Sequence, residues 1–342
     1  MADHAKRVLT LGEASALNLL RPHEKLLLAV SGGPDSVALM LLCARWSERA
    51  AHEIAVAVVD HGLRPAARAE AEQVGKWAKA LGFRHYLLRW EGEKPVTRIQ
   101  ERAREARYAL LAACAREMGG AAIVTAHHAD DQAETILFRL TRGSGISGLA
   151  GMAAASRCAD AALLRPLLDM RKSALVALCE QADHPFFTDP SNSDEAYARA
   201  RMRKLAPLLA AQGLDAEALL RLGRRAARAD AALDACAAAA REAARIDSDA
   251  GLARFDPSKL RDLPLEILLR ILGDEIERLA PRARLRLDRL ERAALLLSRA
   301  LQSGAPRRLT LAGLLLEFGR GAVSLGPAPP RRAGRRDDCG DA

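Results

Sequence analysis

Two short stretches hold most of the residues whose types and spacing could do chemistry. The first, Ser31-Gly32-Gly33-Pro34-Asp35-Ser36, sets two glycines between two hydroxyls and a carboxylate. Glycine lets a backbone turn tightly and approach a ligand without Cβ interference. A helix beginning at Pro34 aims unpaired N–H groups and the positive end of its dipole into that turn. Together these make an anion site, and the usual anion is phosphate. No Gly-Lys-Ser/Thr follows at the spacing of a Walker A loop. The bland alternative is a strand-to-helix turn in which Asp35 merely complements the dipole.

The second stretch is Thr125-Ala126-His127-His128-Ala129-Asp130-Asp131-Gln132-Ala133-Glu134-Thr135. His127 and Asp131 are four apart, as are Asp130 and Glu134, so each pair stacks on one helix face. Such a set suits Mg²⁺ through oxygen ligands, or a cationic amine. Adjacent histidines without HExxH spacing argue against zinc. The dipole of a helix start accounts for part of the acidity.

The elements that must position these residues follow from apolar patterning. Residues 25–30, 54–60, 83–90 and 121–126 read as strands, and 66–81 and 98–118 as helices ending at Gly82 and Gly119. Strands alternating with helices predict a parallel, doubly wound α/β sheet with ligands beyond the carboxyl ends of its strands. The candidates fall there, after Val30, Val59 and Thr125. Asp60 and His61 follow the second strand and could contact a nucleotide or simply form a turn. Arg104 and Arg107, three apart on a helix, could reach a phosphate or line a solvated face. Arg142-Gly143-Ser144-Gly145 closes the helix after the second cluster, and residues 163–168 suggest an edge strand because Pro166 is tolerated there. A basic helix carries Arg199, Arg201, Arg203 and Lys204, able to track a nucleic-acid backbone.

From about Leu214 the pattern becomes mainly helical. Leu219, Leu222, Ala226, Ala229, Leu233, Cys236 and Ala240 form a seam for another helix, which makes a homodimer one expectation. Arg221, Arg224, Arg225 and Arg228 neighbour that seam. A hairpin is expected over 308–318. The division is therefore residues 1–212, 213–326, and a proline- and arginine-rich tail, 327–342, expected to be disordered. A net charge of +9 favours a polyanionic partner. The six cysteines include no CxxC pair, which argues against a zinc site or a disulfide framework. With no apolar signal core and no run long enough to span a bilayer, a cytoplasmic protein without a membrane partner is expected.

Taken together the segments resemble the tRNA(Ile)-lysidine synthetases, a branch of the PP-loop ATP pyrophosphatases. Ser-Gly-Gly-Pro-Asp-Ser marks the wider group. The narrower resemblance adds Val59-Asp60-His61-Gly62-Leu63-Arg64-Pro65, Ala103-Arg104 with Arg107-Tyr108, and the stretch from His127 to Thr135. It continues through Arg142-Gly143-Ser144-Gly145, Arg165-Pro166-Leu167-Leu168 and Asp189-Pro190-Ser191-Asn192, in order from about residue 24 to 209. One departure is Ala200, which stands where the family usually has asparagine.

The resemblance implies a Rossmann-like PP-loop fold, ATP and Mg²⁺ as cofactors, and two partners: free L-lysine and a tRNA(Ile) with a CAU anticodon. It implies ATP contacts at Ser31, Gly32, Gly33, Pro34, Asp35, Ser36, Asp60 and His61. Catalytic roles fall to Asp35, Arg107, Asp130, Asp131 and Glu134, with Asp35 and Asp131 the candidates for Mg²⁺. Arg104, His127, Arg142, Arg199 and Arg203 are candidates for the lysine or tRNA substrate. A PP-loop tRNA thiolation enzyme and a non-catalytic, ATP-dependent tRNA-binding protein are the competing readings.

Overall fold

The computed structural model describes residues 9–63, 67–92, 94, 97–188, 198–246, 251–281, 283, 285–319 and 321–329, without the side chains of 198–204. Two compact units divide the chain, Met1–Ala227 and Arg228–Ala342. Residues 213–227, past the change in composition, thus belong with the first unit.

The first unit runs α1 (Leu11–Leu17), β1 (Lys25–Ala29), α2 (Pro34–Arg45), β2 (Glu53–Asp60), α3 (Ala67–Ala80), β3 (Arg84–Arg89), α4 (Ile99–Glu117) and β4 (Ala122–Val124). It continues with α5 (Ala129–Leu140), α6 (Ile146–Leu149), β5 (Ala155–Cys158), β6 (Ala161–Leu164), α7 (Lys172–Gln181), α8 (Ala198–Ala211) and the start of α9 (Ala216–Ala244). The sheet order is β3-β2-β1-β4-β6-β5, parallel throughout except for β5.

Both faces of that sheet are covered, which is why its central strands are continuously apolar. Leu26 and Leu28 of β1 join a core with α2 and α7 residues such as Leu39, Leu175 and Leu178. Leu27 points the other way, against Leu111, Ala112 and Ala115 of α4. Successive side chains alternate faces in a strand, so one short run of leucines anchors both helical layers. Each fully buried leucine contributes roughly 1.5–3 kcal/mol.

Residues 163–168 do not form the edge strand expected of them. Strand β6 ends at Leu164 and lies between β4 and β5, with Pro166 beyond its end. Proline cannot donate to a ladder, so it terminates the strand, and the β5–β6 hairpin supplies the edge instead.

The second unit contains the end of α9, then β7 (Arg245–Ile246), β8 (Ala253–Phe255), α10 (Pro257–Leu260), α11 (Leu265–Leu279), α12 (Leu287–Ser303), β9 (Arg307–Leu311), β10 (Leu314–Phe318) and β11 (Val323–Pro327). The expected hairpin is β9–β10. Its two-residue turn, Ala312 and Gly313, has φ of 55° and 80°, the mirror-image turn that matches strand twist. It extends into a five-stranded antiparallel sheet, β7-β8-β11-β10-β9. Phe255, Leu316, Phe318 and Leu325 pack on Leu268, Ile271 and Leu297 of the helices.

Part of the helical seam is buried within the chain, and Ala229 is exposed. Leu219 and Leu220 pack on Ala133, Ile136 and Leu137 of α5, while Leu233 and Ala240 join the second unit's core. Cys236, expected in the seam, is exposed, and Ala237 is buried in its place. The tail expected to be disordered from Pro327 begins later: Pro327 ends β11 and the Ala328 N–H donates to the Gly313 carbonyl at 2.9 Å, while Pro330 onward lies outside the described residues. No helix among the described residues is long and apolar enough to cross a membrane.

Candidate active site

The strand order reverses between β1 and β4, and the two chemically loaded stretches leave the sheet on either side of that point. Such a switch point opens a crevice at the carboxyl ends of the strands. On one side, the Ser31 N–H donates to Ser36 Oγ at 3.1 Å, and Ser36 Oγ donates to the Gly33 carbonyl at 2.9 Å. Gly32 has φ of +89°, and a Cβ there would lie 2.7 Å from Phe187 Cδ2 and 2.9 Å from Val74 Cγ2. Its carbonyl accepts the Phe187 N–H at 2.9 Å. Gly32 is thus required by the fold itself. Gly33 differs: it caps α2 with φ of −72°, and an added Cβ would meet only Ser31 Oγ at 3.7 Å and the Phe187 carbonyl oxygen at 4.0 Å. Pro34 takes the first helical position and Asp35 the first turn.

On the other side, His128 caps α5. Its Nδ1 accepts the Asp131 N–H at 3.3 Å, and Asp131 Oδ2 accepts the His128 N–H at 3.2 Å, a reciprocal capping box. The ring is buried, at 4% exposure. Its Nε2 lies 3.6 Å from Asp35 Oδ2 and 3.5 Å from Asp131 Oδ2, and its Nδ1 lies 3.6 Å from Asp130 Oδ2. Burial alone would depress this imidazole, but Asp35, Asp131 and Asp130 together raise it above its ordinary value. Burial, then the Glu134 and Asp35 charges, hold the Asp131 carboxyl above the usual range despite the opposing His128 contacts.

The stretch from Thr125 to Glu134 therefore divides its labour. Asp130 Oδ2 accepts the Lys172 N–H at 2.8 Å, and its Oδ1 pairs with Arg171 at 3.5 Å, so it ties α5 to the start of α7. Asp131 faces the phosphate loop through His128. Glu134 is half-buried one turn along the helix. His127 turns away from His128: its Nδ1 is 2.8 Å from Thr125 Oγ1, and it lines a cavity of about 490 Å³. Burial, then Arg165, Arg104, Arg107 and the His128 ring, push its pKa down to about 3. It is a neutral imidazole at physiological pH.

Ser31, Gly33, Asp35 and Ser36 line the same cavity, with Val59, His61 and Arg107 opposite. The volume falls within the range of small-molecule sites. Asp35 Oδ1 and His61 Nδ1 are both buried without a hydrogen-bond partner among the described residues. Burial, and secondarily Arg107, keep His61 below its ordinary pKa, and its ring meets Trp90 edge-on at 6.1 Å. Asp60 Oδ1 accepts the Gly62 N–H at 2.9 Å, stabilising the turn that presents His61.

Arg104 sits at the rim, exposed but stacked with Arg107 on Tyr108, at 5.0 and 5.2 Å, and close enough for its charge to act on His127. Other predicted residues are not gathered here. Arg142 is exposed over Phe138, past the far end of α5, about 18 Å along the helix from its start. The backbones of Arg199 and Arg203 lie in α8, but their side chains, like Arg64 and residues 189–192, lie outside the described residues. Among the described residues, no group of three or more His, Cys, Asp and Glu forms a complete metal cluster.

Sequence reasoning assigned no role to two residues of this site. His128 is one, although its spacing to Asp131 is the signature of a capping box. Arg165 is the other: it is buried, donates to the Ala153 carbonyl at 2.7 Å and Ser156 Oγ at 3.0 Å, and carries the charge nearest His127 in effect. The stretch Arg165-Pro166-Leu167-Leu168 carries part of the family resemblance, but the sequence does not show that Arg165 is buried beside His127.

Comparison with known proteins agrees with this geometry. The PP-loop domain family matches residues 4–209. The tRNA(Ile)-lysidine synthase of Methylobacterium sp. strain 4-46 is 49% identical over 315 residues, covering 90% of each chain. That of Bradyrhizobium diazoefficiens is 41% identical and covers 99% of each, so the similarity extends through the second unit. Among solved structures, the U34-tRNA thiolase NcsA from Methanococcus maripaludis has a TM-score of 0.53 at 14% identity, covering 63% of this chain and 76% of that one, a likeness of fold. The ATP-binding PP-loop domain and the relatives that match nearly the whole chain lead to one assignment: the chain belongs to the tRNA(Ile)-lysidine synthase family, ATP-using ligases that form a C–N bond.

Proposed function

We propose that the protein joins free L-lysine to C2 of the wobble cytidine of a tRNA(Ile) with a CAU anticodon. ATP adenylates the C2 carbonyl oxygen and releases pyrophosphate. The lysine ε-amine then attacks C2 and expels AMP, leaving lysidine, which pairs with A rather than G. The observation that carries this reading is the convergence of Asp35, Asp130 and Asp131 on His128 beside the phosphate loop. A site that only bound polyphosphate would gain nothing from three carboxylates.

Each role rests on this chain's chemistry. Ser31, Gly32, Gly33, Pro34 and Ser36 shape a cradle whose backbone and hydroxyl donors hold the departing pyrophosphate. Gly33, for which the protein itself demands no glycine, leaves room for a phosphate where a Cβ would stand. The hidden Asp35 Oδ1 and the raised Asp131 carboxyl fit Mg²⁺, which takes one or two carboxylates and completes its shell with phosphate oxygens. Bound there, the ion would neutralise charge on the pyrophosphate.

Asp130 orders α5 against α7 so that Glu134 can hold the lysine ammonium and accept its proton. An amine of pKa about 10.4 is mostly protonated at neutral pH, so attack at C2 needs such an acceptor. Arg107 faces the adenylate phosphate, His61 and the Asp60 turn the nucleoside, and neutral His127 the cytosine. Arg104, Arg142, Arg199 and Arg203 supply tRNA-backbone contacts, as does the region 213–326, with Arg221, Arg224 and Arg225 exposed along α9. The substrate set places the enzyme in the cytoplasm.

The test is turnover with components omitted. AMP and pyrophosphate should accumulate catalytically only when ATP, lysine and CAU-anticodon tRNA(Ile) are all present. Turnover supported by a sulfur donor in place of lysine would favour the thiolation reading.

A further inference from the structure

We propose that His128 is a positioning residue: its Nε2–H holds the Asp35 carboxylate in the orientation from which pyrophosphate departs, and the helix cap made by its own Nδ1 fixes that proton in place. This rests on the reading of Asp35 as the residue acting at the phosphates. Because Nδ1 accepts the Asp131 N–H at 3.3 Å, the neutral ring carries its hydrogen on Nε2. That atom lies between Asp35 Oδ2 at 3.6 Å and Asp131 Oδ2 at 3.5 Å, within ion-pair distance of both carboxylates and longer than a formed hydrogen bond. Such contacts are often long before substrate binds and tighten in the reacting complex.

The ring has no freedom to do otherwise. It is buried, and the backbone beside it is pinned where the Ala129 N–H donates to the Met170 carbonyl at 2.8 Å. Asp130 Oδ2 fixes the next residue to the Lys172 N–H. His128 thus joins the loop after β1 to the helix after β4 across the switch-point crevice. By engaging Oδ2 it leaves the hidden Oδ1 of Asp35 for the ligand side. A histidine serving only as a helix cap would have no reason to place Nε2 against a carboxylate of a different element.

Two substitutions separate cap from positioning. In His128→Asn the amide oxygen replaces Nδ1 as acceptor for the Asp131 N–H, and asparagine is among the best N-caps, but the side chain is too short to reach Asp35. In His128→Gln the longer side chain can bring an amide N–H to Asp35. His128→Asn should melt near the wild-type temperature yet release pyrophosphate about 10–100-fold more slowly, the usual cost of losing an orienting partner, with the KM for lysine unchanged. His128→Gln should recover part of that loss. Adding His128→Asn to Asp35→Ala should cost nothing further, because the two act as a unit.

Nitrogen-15 NMR of the ring, on the alkaline side of its titration, should show Nδ1 bare and Nε2 protonated. A wild-type rate in His128→Asn overturns the proposal, as does a neutral ring protonated at Nδ1. So does an equal loss of rate in both variants that tracks a fall in melting temperature. If Asp35→Ala itself retains turnover, the reading of Asp35 fails instead, while the ring tautomer still reports whether the cap sets the proton.

Discussion

Glu275 in the second unit and Asp35 in the first each hide a carboxylate oxygen from water, and their surroundings differ. Glu275, fully buried, accepts from Arg245 at 2.5 Å and from Arg278 at 2.8 Å. Close to it in sequence, Arg270 donates to Glu266 at 3.0 Å, to Asp230 at 2.8 Å and to Asp234. That network closes on itself. In the first unit the pattern is open: Asp35 Oδ1, His61 Nδ1, His85 Nε2 and Arg165 Nε are buried without partners among the described residues. Asp35 and His61 line one cavity. An unmet buried polar group costs about 1–3 kcal/mol, and two of these four, on Asp35 and His61, belong to the cavity where a cation and a nucleoside would relieve it. Paired charge is architecture in the second unit, whereas the unmet polar atoms of Asp35 and His61 mark the cavity in the first.

The sharpest way to break this contrast is Arg270→Ala, which removes a buried guanidinium bonded to Asp230, Asp234 and Glu266, the last two of which keep solvent. It should destabilise by about 1–3 kcal/mol in a denaturant titration while leaving pyrophosphate release per folded molecule unchanged. A reduced rate would show that the closed network also serves the chemistry. Asp35→Ala should behave in reverse. Single-turnover pyrophosphate release should fall about 10²–10³-fold, and stability should shift by no more than about 1 kcal/mol, the worth of a helix-dipole partner.

The two loop glycines sharpen the comparison further. Gly32→Ala must accommodate a positive φ and a Cβ 2.7 Å from Phe187, so it should lose about 1–3 kcal/mol of stability and ATP binding with it. Gly33→Ala should fold normally and lose only ATP affinity in a nucleotide titration. Equal melting temperatures for the two would contradict the distinction drawn between them.

The pH-dependent contrast concerns His127, whose pKa falls from 6.5 to about 3 in the fold. As pH drops from about 6.5 toward 3, the unfolded chain takes up a proton that the folded chain refuses. Stability contributed by this residue is therefore intact above pH 6.5 and lost across that window. His127→Gln should flatten the pH dependence of stability there, and an unchanged slope would argue that the imidazole is not desolvated.

Much of this was legible in the sequence where local pattern and tertiary role coincide. The run Leu26-Leu27-Leu28 announces a doubly buried strand because both faces of the sheet need apolar residues. Gly32 announces the turn because few other residues fit its positive φ. Strand β7, with two residues, and β8, with three, are too short to show a period, so only the β9–β10 hairpin of the second sheet was foreseen. Asp130 and Asp131 look alike in sequence, and their division of labour depends on Lys172, Arg171 and His128. The role of His128 is equally non-local, since Asp35 reaches it only because β1 and β4 are neighbours in the sheet.

The most direct test of the central claim is incorporation of isotopically labelled lysine into CAU-anticodon tRNA(Ile) by the purified protein with ATP. The account predicts one lysine per tRNA, located at the wobble cytidine by mass spectrometry, with AMP and pyrophosphate formed in equal amounts. Label absent from the tRNA while ATP is still cleaved to AMP and pyrophosphate, or label found at any other nucleotide, would contradict it.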